Sequence, residues 1–259
     1  MGILGTGLIG GSIGLRARRN GVRVLGSDTG DAAASTALAR GALDERVPRE
    51  ELYERCDYVV IATPLDAACA ELRRLHASPP ACSLVIDVAS VKRPVVAAAA
   101  GLEHFVASHP LAGSELSGPG AASADLFEGR SWAYVPSGDA GLDDLARAFI
   151  LSLGARPIAI DAASHDAAVA VTSHLPQLVA VALAGRIRAA GPTAEALCGP
   201  AAAEFLRLGA SNFELWREIF AANADEVAEA GRSLAGQLSS LCASIERGDF
   251  EPLRTAFRR

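Results

Sequence analysis

Short apolar runs recur along the first 160 residues, and between them Ala and Leu fall at helical spacing. The runs Met1–Leu4, Val22–Gly26, Tyr58–Ala62, Leu84–Asp87, Phe105–Ser108, Trp132–Val135 and Pro157–Ile160 predict strands. Gly10–Arg19, Ala32–Arg40, Ala67–Leu75 and Leu142–Leu153 predict the intervening helices. Continuous apolar strands alternating with helices imply a parallel sheet covered on both faces. The first strand is short on its N-terminal side, as expected of a trimmed end or of a weakly anchored strand. After Asp161 the strand signals stop, and His165–Ala190, Thr193–Leu208, Asn212–Arg232 and Leu234–Glu246 read as helices. The chain is therefore expected to be α/β, with a doubly wound parallel sheet over 1–161 and an all-helical domain over 162–259.

Composition narrows the class. Half of the 259 residues are hydrophobic and 21% are charged, so the chain can bury a substantial core and disorder is excluded. A formal charge of -6 offers no broad positive field to a phosphate backbone, and no nucleic-acid partner is expected. Cys56, Cys69, Cys82, Cys198 and Cys242 are scattered, with no Cys-x-x-Cys pair and no zinc-ligand spacing, which predicts reduced thiols, no metal and a cytoplasmic protein. Positions 1 to 15 have no basic leader, and Leu178–Gly185 is too short for a membrane helix, so no bilayer partner is expected. Apolar residues between 175 and 245 exceed what a few isolated helices bury, which points to pairing with a second copy through the helical domain.

Gly5-Thr6-Gly7-Leu8-Ile9-Gly10 follows a strand and opens a helix, the context in which G-x-G-x-x-G binds a dinucleotide on a Rossmann-type sheet. Gly5 permits the turn, Gly7 leaves room for a pyrophosphate, Gly10 lets helix and strand approach, and the N–H groups around Leu8 and Ile9 face the phosphates. Asp28, at the end of the second strand, has the offset of a carboxylate that binds the ribose 2′-hydroxyl. Its charge repels a 2′-phosphate and no basic residue adjoins it, which favours NAD over NADP. The plainer alternative for Asp28 is a turn residue before Thr29-Gly30. Thr63-Pro64 and the Asp87–Lys92 segment, with Ser90, follow the third and fourth strands and should face the nicotinamide half of the cofactor.

The fifth strand runs into Ser108-His109-Pro110, placing an imidazole beside the cofactor, where it can accept a proton near neutral pH. An isolated histidine is more often structural. Its strand-end position next to the Ser90 loop sets His109 apart.

The stretches GILGTGLIGGSIG, VIATP, VIDVASVK, SHPLAGSELSG with DLFEG, HDAAVAVTSHLP, and RLGASNFELWREIF with Asn223 follow in order from residue 2 to about 223. Together they closely resemble the prephenate/arogenate (cyclohexadienyl) dehydrogenase family of tyrosine biosynthesis. The resemblance implies NAD-dependent oxidative decarboxylation, with His109 as the group that polarises or deprotonates the ring hydroxyl and Ser90 bonding the same region. It further implies Arg207 on a substrate carboxylate, His174 as a polar substrate contact, and Ser114 and Glu115 at the pocket mouth, in a homodimer.

Two departures bear on the substrate. Ala202-Ala203-Glu204-Phe205-Leu206 replaces a segment in which the family commonly carries a further basic residue, and Asn212 stands where an aspartate is frequent. Arogenate carries an ammonium where prephenate carries a keto group, so a neutral Asn212 tilts the expectation toward prephenate. Arogenate or dual specificity stays open, since Asp166 or Glu204 could face an ammonium. The rival readings are a 3-hydroxy-acid dehydrogenase, which would want a lysine that the helical domain lacks, and a non-catalytic NAD sensor, which would need only the glycine loop and Asp28.

Overall fold

The computed structural model describes residues 1–113 and 116–257, which fall into two compact units. The first comprises Met1–Asp166 and Phe213–Ala222, the second Ala167–Asn212 and Asn223–Arg259.

In the first unit, β1 (Gly2–Leu4), α1 (Leu8–Arg19), β2 (Leu25–Ser27), α2 (Asp31–Ala39), β3 (Glu45–Arg46), α3 (Arg49–Arg55), β4 (Tyr58–Ile61), α4 (Leu65–Ala77), β5 (Leu84–Asp87), α5 (Arg93–Ala98) and β6 (Phe105–Val106) follow one another. Their strands form one six-stranded sheet in the order β3-β2-β1-β4-β5-β6, every pairing parallel. Helices cover both faces, which is why Val59, Val60, Ile61, Leu84, Val85 and Ile86 are all fully buried. Strand order reverses direction at β1 and β4, and a ligand crevice opens outside the C-terminal strand ends at such a point.

The later strands depart from the expected single sheet. β7 (Ser108–Pro110), β8 (Ser131–Tyr134) and β9 (Arg156–Ala159) form a separate sheet, with β7 antiparallel to β8 and β8 parallel to β9, while α6 (Ala140–Ser152) joins the last two strands. The physical cause lies at Ser108. Asp87 at the end of β5 captures the Ser108 N–H at 2.7 Å, and the Ser108 hydroxyl bonds back to the Asp87 carbonyl, so side chains replace the ladder and the chain turns away after β6. The Trp132 indole N–H donates to the same hydroxyl at 2.9 Å. β3 and α3 escaped the sequence pattern because β3 is two charged residues and α3 buries little beyond Leu52 and Tyr53.

Beyond β9, α7 (Ala162–Val169) continues through a π turn at Ala170–His174 into α8 (Leu175–Ala189). This continuous helix, Ala162–Ala189, is long and apolar enough to cross a membrane by composition alone, contrary to the expectation that no stretch reaches that length. It buries His165, Asp166, His174 and Gln177, with polar partners for each, as buried polar groups require.

The expected helix over 193–208 divides into α9 (Pro192–Ala196) and α10 (Pro200–Gly209), because Pro200 lacks an N–H and starts a helix instead of continuing one. The expected helix over 212–232 divides at Asn223 into α11 (Phe213–Ala222) and α12 (Ala224–Glu246), and α12 runs on unbroken past Gly231. α11 belongs to the first unit, where Ile219 and Trp216 join the core beside α4. In the second unit α8 and α10 approach closely: a Cβ on Gly209 would lie 3.0 Å from the Ala184 Cβ. The chain ends with α13 (Glu251–Phe257).

Candidate functional site

The crevice begins at the glycine loop between β1 and α1. Gly5 has φ +93°, and a Cβ there would sit 2.5 Å from the Ala62 carbonyl oxygen, so only glycine fits. Around Gly7 the space is open within 4 Å, a gap into which a bound group can bring its phosphates against the backbone. Gly7 caps α1, whose first turn carries no acidic residue, so the free N–H groups and the positive end of the helix face an anion unopposed. The Thr63 hydroxyl after β4 is buried without a protein partner among the described residues, as expected of a group that bonds a ligand.

Asp28 sits just past β2. Its Oδ2 accepts from the Thr6 N–H at 2.6 Å and hydroxyl at 2.9 Å, and its Oδ1 accepts from the Gly30 N–H at 2.8 Å. Three of roughly four carboxylate lone-pair sites are used, which leaves one for a ribose hydroxyl. One correction concerns the surroundings. Parallel pairing of β3 with β2 brings Arg46 into a cleft of about 380 Å³ lined by Gly26, Ser27, Asp28, Arg46, Val47 and Pro48, so a basic residue does adjoin Asp28 in space. Arg46 is held by the Asp31 carboxylate at 2.6 Å and the Ser35 hydroxyl at 2.9 Å.

On the neighbouring strands, Ser90 is half-buried in the loop after β5, and His109 is half-buried at the centre of β7. Lys92, the only lysine in the sequence, turns inward: its fully buried ammonium pairs with the Asp87 carboxylate and donates to the Ser108 carbonyl. Burial pushes that amine below the usual lysine range, against the opposing pull of Asp87. The pair clamps the end of β5 to the start of β7 and so fixes the strand that carries His109.

His109 is one member of a chain of polar groups that the sequence reading missed. Its Nδ1 lies 3.0 Å from His165 Nε2, and His165 Nδ1 lies 2.8 Å from Asp166 Oδ1. Asp166 is fully buried and also accepts from the Lys92 N–H, the Arg93 N–H and the Arg93 Nε–H. Burial raises the Asp166 carboxyl, but the bonds from His165, Lys92 and Arg93 outweigh it and hold the group below the usual carboxylate range. A carboxylate so engaged is not available to a substrate ammonium. The signal in the sequence was the adjacent His165-Asp166 pair, although nothing in its spacing tied it to position 109.

The second unit places His174 at the end of the π turn, fully buried, with Nδ1 3.3 Å from the Asn223 amide nitrogen. The amide donates, so His174 carries its own proton on Nε2 and can serve as a donor. π turns inside helices are frequent at functional sites. Arg207 is exposed on α10 and pairs with Glu204 at 2.6 Å and 3.0 Å, which occupies the Glu204 carboxylate. Ser114 and Glu115 lie outside the described residues.

Comparison with known proteins gives two family matches: the nucleotide-binding domain of prephenate dehydrogenase over residues 13–159 and the dimerization domain of prephenate dehydrogenase over residues 161–259. A probable prephenate dehydrogenase, NovF of Streptomyces niveus, is 36% identical over 94% of this chain and 68% of its own length. The Aquifex aeolicus prephenate dehydrogenase, solved with hydroxyphenyl propionate and NAD+, superposes with a TM-score of 0.89 at 26% identity, over 99% of this chain and 94% of that one. The Synechocystis arogenate dehydrogenase gives 0.82 at 26% identity, over 99% and 95%.

Proposed function

Because the chain belongs to the prephenate dehydrogenase family, we propose that it is an NAD-dependent oxidoreductase that converts prephenate into 4-hydroxyphenylpyruvate. The observation that carries this reading is His109, held in β7 by its bond to His165, in the same compact unit as a glycine loop built for a dinucleotide. Gly5, Gly7 and Gly10 with Leu8 and Ile9 would hold the pyrophosphate, Asp28 the adenosine ribose, and Thr63, Pro64 and Ser90 the nicotinamide half. Bound there, NAD+ supplies the hydride acceptor.

The chemistry then falls to the protein's own side chains. His109 Nε2 takes the proton of the ring C4 hydroxyl, and the electron pair of that O–H bond becomes the new carbonyl as hydride leaves C4. Ser90 hydrogen-bonds the same oxygen and holds the hydroxyl toward the imidazole. The C1 carboxylate leaves as CO₂, its bonding pair completes the aromatic ring and the carbonyl pair returns to oxygen, which takes the proton back from His109 Nε2 to become the phenol. Arg207 and His174 are assigned to the substrate's carboxylates and polar groups by their family motifs. A dianion entering a partly dry site needs such cationic and donor groups. Asn212 supports prephenate over arogenate, and the saturated Asp166 and the paired Glu204 remove two carboxylates that an arogenate ammonium would seek. The helical part, 162–259, is assigned to substrate contacts and to forming a homodimer.

The test is NADH formation from prephenate and from arogenate in parallel, for the wild type and for His109→Asn. Prephenate is expected to give the higher kcat/KM. The variant should keep NAD binding and lose about 10²- to 10⁴-fold in kcat, the usual worth of a general base. Turnover of arogenate alone, or a near-normal His109→Asn, refutes the assignment.

A further inference from the structure

We propose that His165 and Asp166 are positioning residues that force His109 into the tautomer a base requires, an inference that rests on His109 being that base. A carboxylate only accepts hydrogen bonds, so His165 Nδ1, 2.8 Å from Asp166 Oδ1, carries a proton. A neutral His165 then has its lone pair on Nε2. That nitrogen lies 3.0 Å from His109 Nδ1, and the one proton between them must come from His109. The proton of His109 is thereby fixed on Nδ1 and its lone pair on Nε2, the nitrogen that does not face His165.

The direction of this constraint matters because an imidazole in water carries its proton preferentially on Nε2. Left to itself, His109 would present a proton to the substrate hydroxyl instead of accepting one. Water cannot relax the arrangement, since His165 is 2% exposed and Asp166 0%. Nor can the carboxylate turn away. The Lys92 N–H holds Oδ1 at 2.7 Å, and the Arg93 N–H and Nε–H hold Oδ2 at 2.9 Å and 3.3 Å. The two nitrogens are 3.0 Å apart and the ring centroids 5.2 Å, so both nitrogens lie between the rings, where the N–H of one meets the lone pair of the other, with the planes twisted by 71°. When His109 takes up the hydroxyl proton on Nε2, both of its nitrogens are protonated. The resulting positive charge rests against the His165 lone pair, with the Asp166 charge one ring away. No proton leaves the pair in this step.

The experiment reads the His109 tautomer by ¹⁵N NMR of the full chain in the wild type, His165→Gln and His165→Leu, with kcat and KM for prephenate and NAD+ measured alongside. The wild type should show His109 protonated on Nδ1. In His165→Leu the Nε2-protonated form should take over and kcat fall roughly ten- to a hundredfold, with KM for NAD+ unchanged. Gln at 165 can either accept from His109 or donate to it, so that variant should show mixed tautomers and an intermediate kcat. A His109 that stays protonated on Nδ1 in the variants, or a kcat that does not fall, overturns the proposal. Should the Leu variant fail to fold, a single unchanged tautomer in the Gln variant overturns it equally. The tautomer measurement needs no substrate, so a wild type inactive on prephenate refutes the functional reading while the NMR still decides this one.

Discussion

Asp166 gathers in one carboxylate the start of α5, the second histidine and, through it, the base. Four protein donors converge on it in a fully buried position, so its ionised form is worth more in the folded chain than in the unfolded one. Its folded pKa is depressed below the ordinary value of 3.8. The stability it contributes is therefore fully present above that value and is lost as pH falls through the lower, folded one. Asp166→Ala strands four donors, and breaking a buried charged arrangement costs about 3–5 kcal/mol. Urea unfolding of both proteins at pH 7 should show that gap, and it should narrow as pH is lowered through 4 toward 2. A gap that stays constant over this range would mean that Asp166 is held by packing and not by its charge.

β3 shows how an element that sequence patterns miss changes a prediction. Two charged residues have no periodicity to read, yet their pairing with β2 sets Arg46 in the cleft of Asp28. Asp28 and Arg46 then line one cleft, where the carboxylate repels a 2′-phosphate and the guanidinium would attract it. Asp28→Ser should gain NADP+ use, shifting the ratio of kcat/KM for NADP+ over NAD+ by roughly 10- to 100-fold, as charged hydrogen bonds of about 1.5–3 kcal/mol imply. Asp28→Ser combined with Arg46→Ala should lose most of that gain. A double variant as good with NADP+ as the single one would remove Arg46 from the account.

The same comparison says what the chain reveals before it folds. β1, β4 and β5 and the glycine loop were legible because each is written in consecutive residues, whereas His109, read as the end of the fifth strand, stands at the centre of β7. The departure of β7 from the main sheet was not legible, because it depends on Asp87 reaching Ser108 across 21 positions. His165 was invisible as a partner of His109 for the same reason, at a separation of 56. Helix breaks at Pro200 and Asn223 were half legible: the proline is a known stop, but nothing in the local sequence ties the Asn223 amide to His174, 49 positions away.

At the scale of the whole molecule, the apolar surface of the second unit remains to be covered. Val171, Val181, Leu183, Leu197, Leu238 and Ile245 are exposed in the single chain, and this part of the sequence matches the dimerization domain of its family. Scattered exposed apolar residues are ordinary, but this many on one helical unit makes burial by the proposed second copy the expected outcome. A homodimer should therefore run in solution at about twice 26.6 kDa. Because folding and association are then one equilibrium, Tm should rise with protein concentration. Replacing Val181, an exposed apolar residue of α8, by Glu adds a charge to the surface that must desolvate, and should give a species near 26.6 kDa with a lower, concentration-independent Tm. Sedimentation and thermal melts over a hundredfold range of concentration measure both. A wild type that sediments as a monomer with a fixed Tm would leave that apolar face to another partner and remove the second copy from the description of this enzyme.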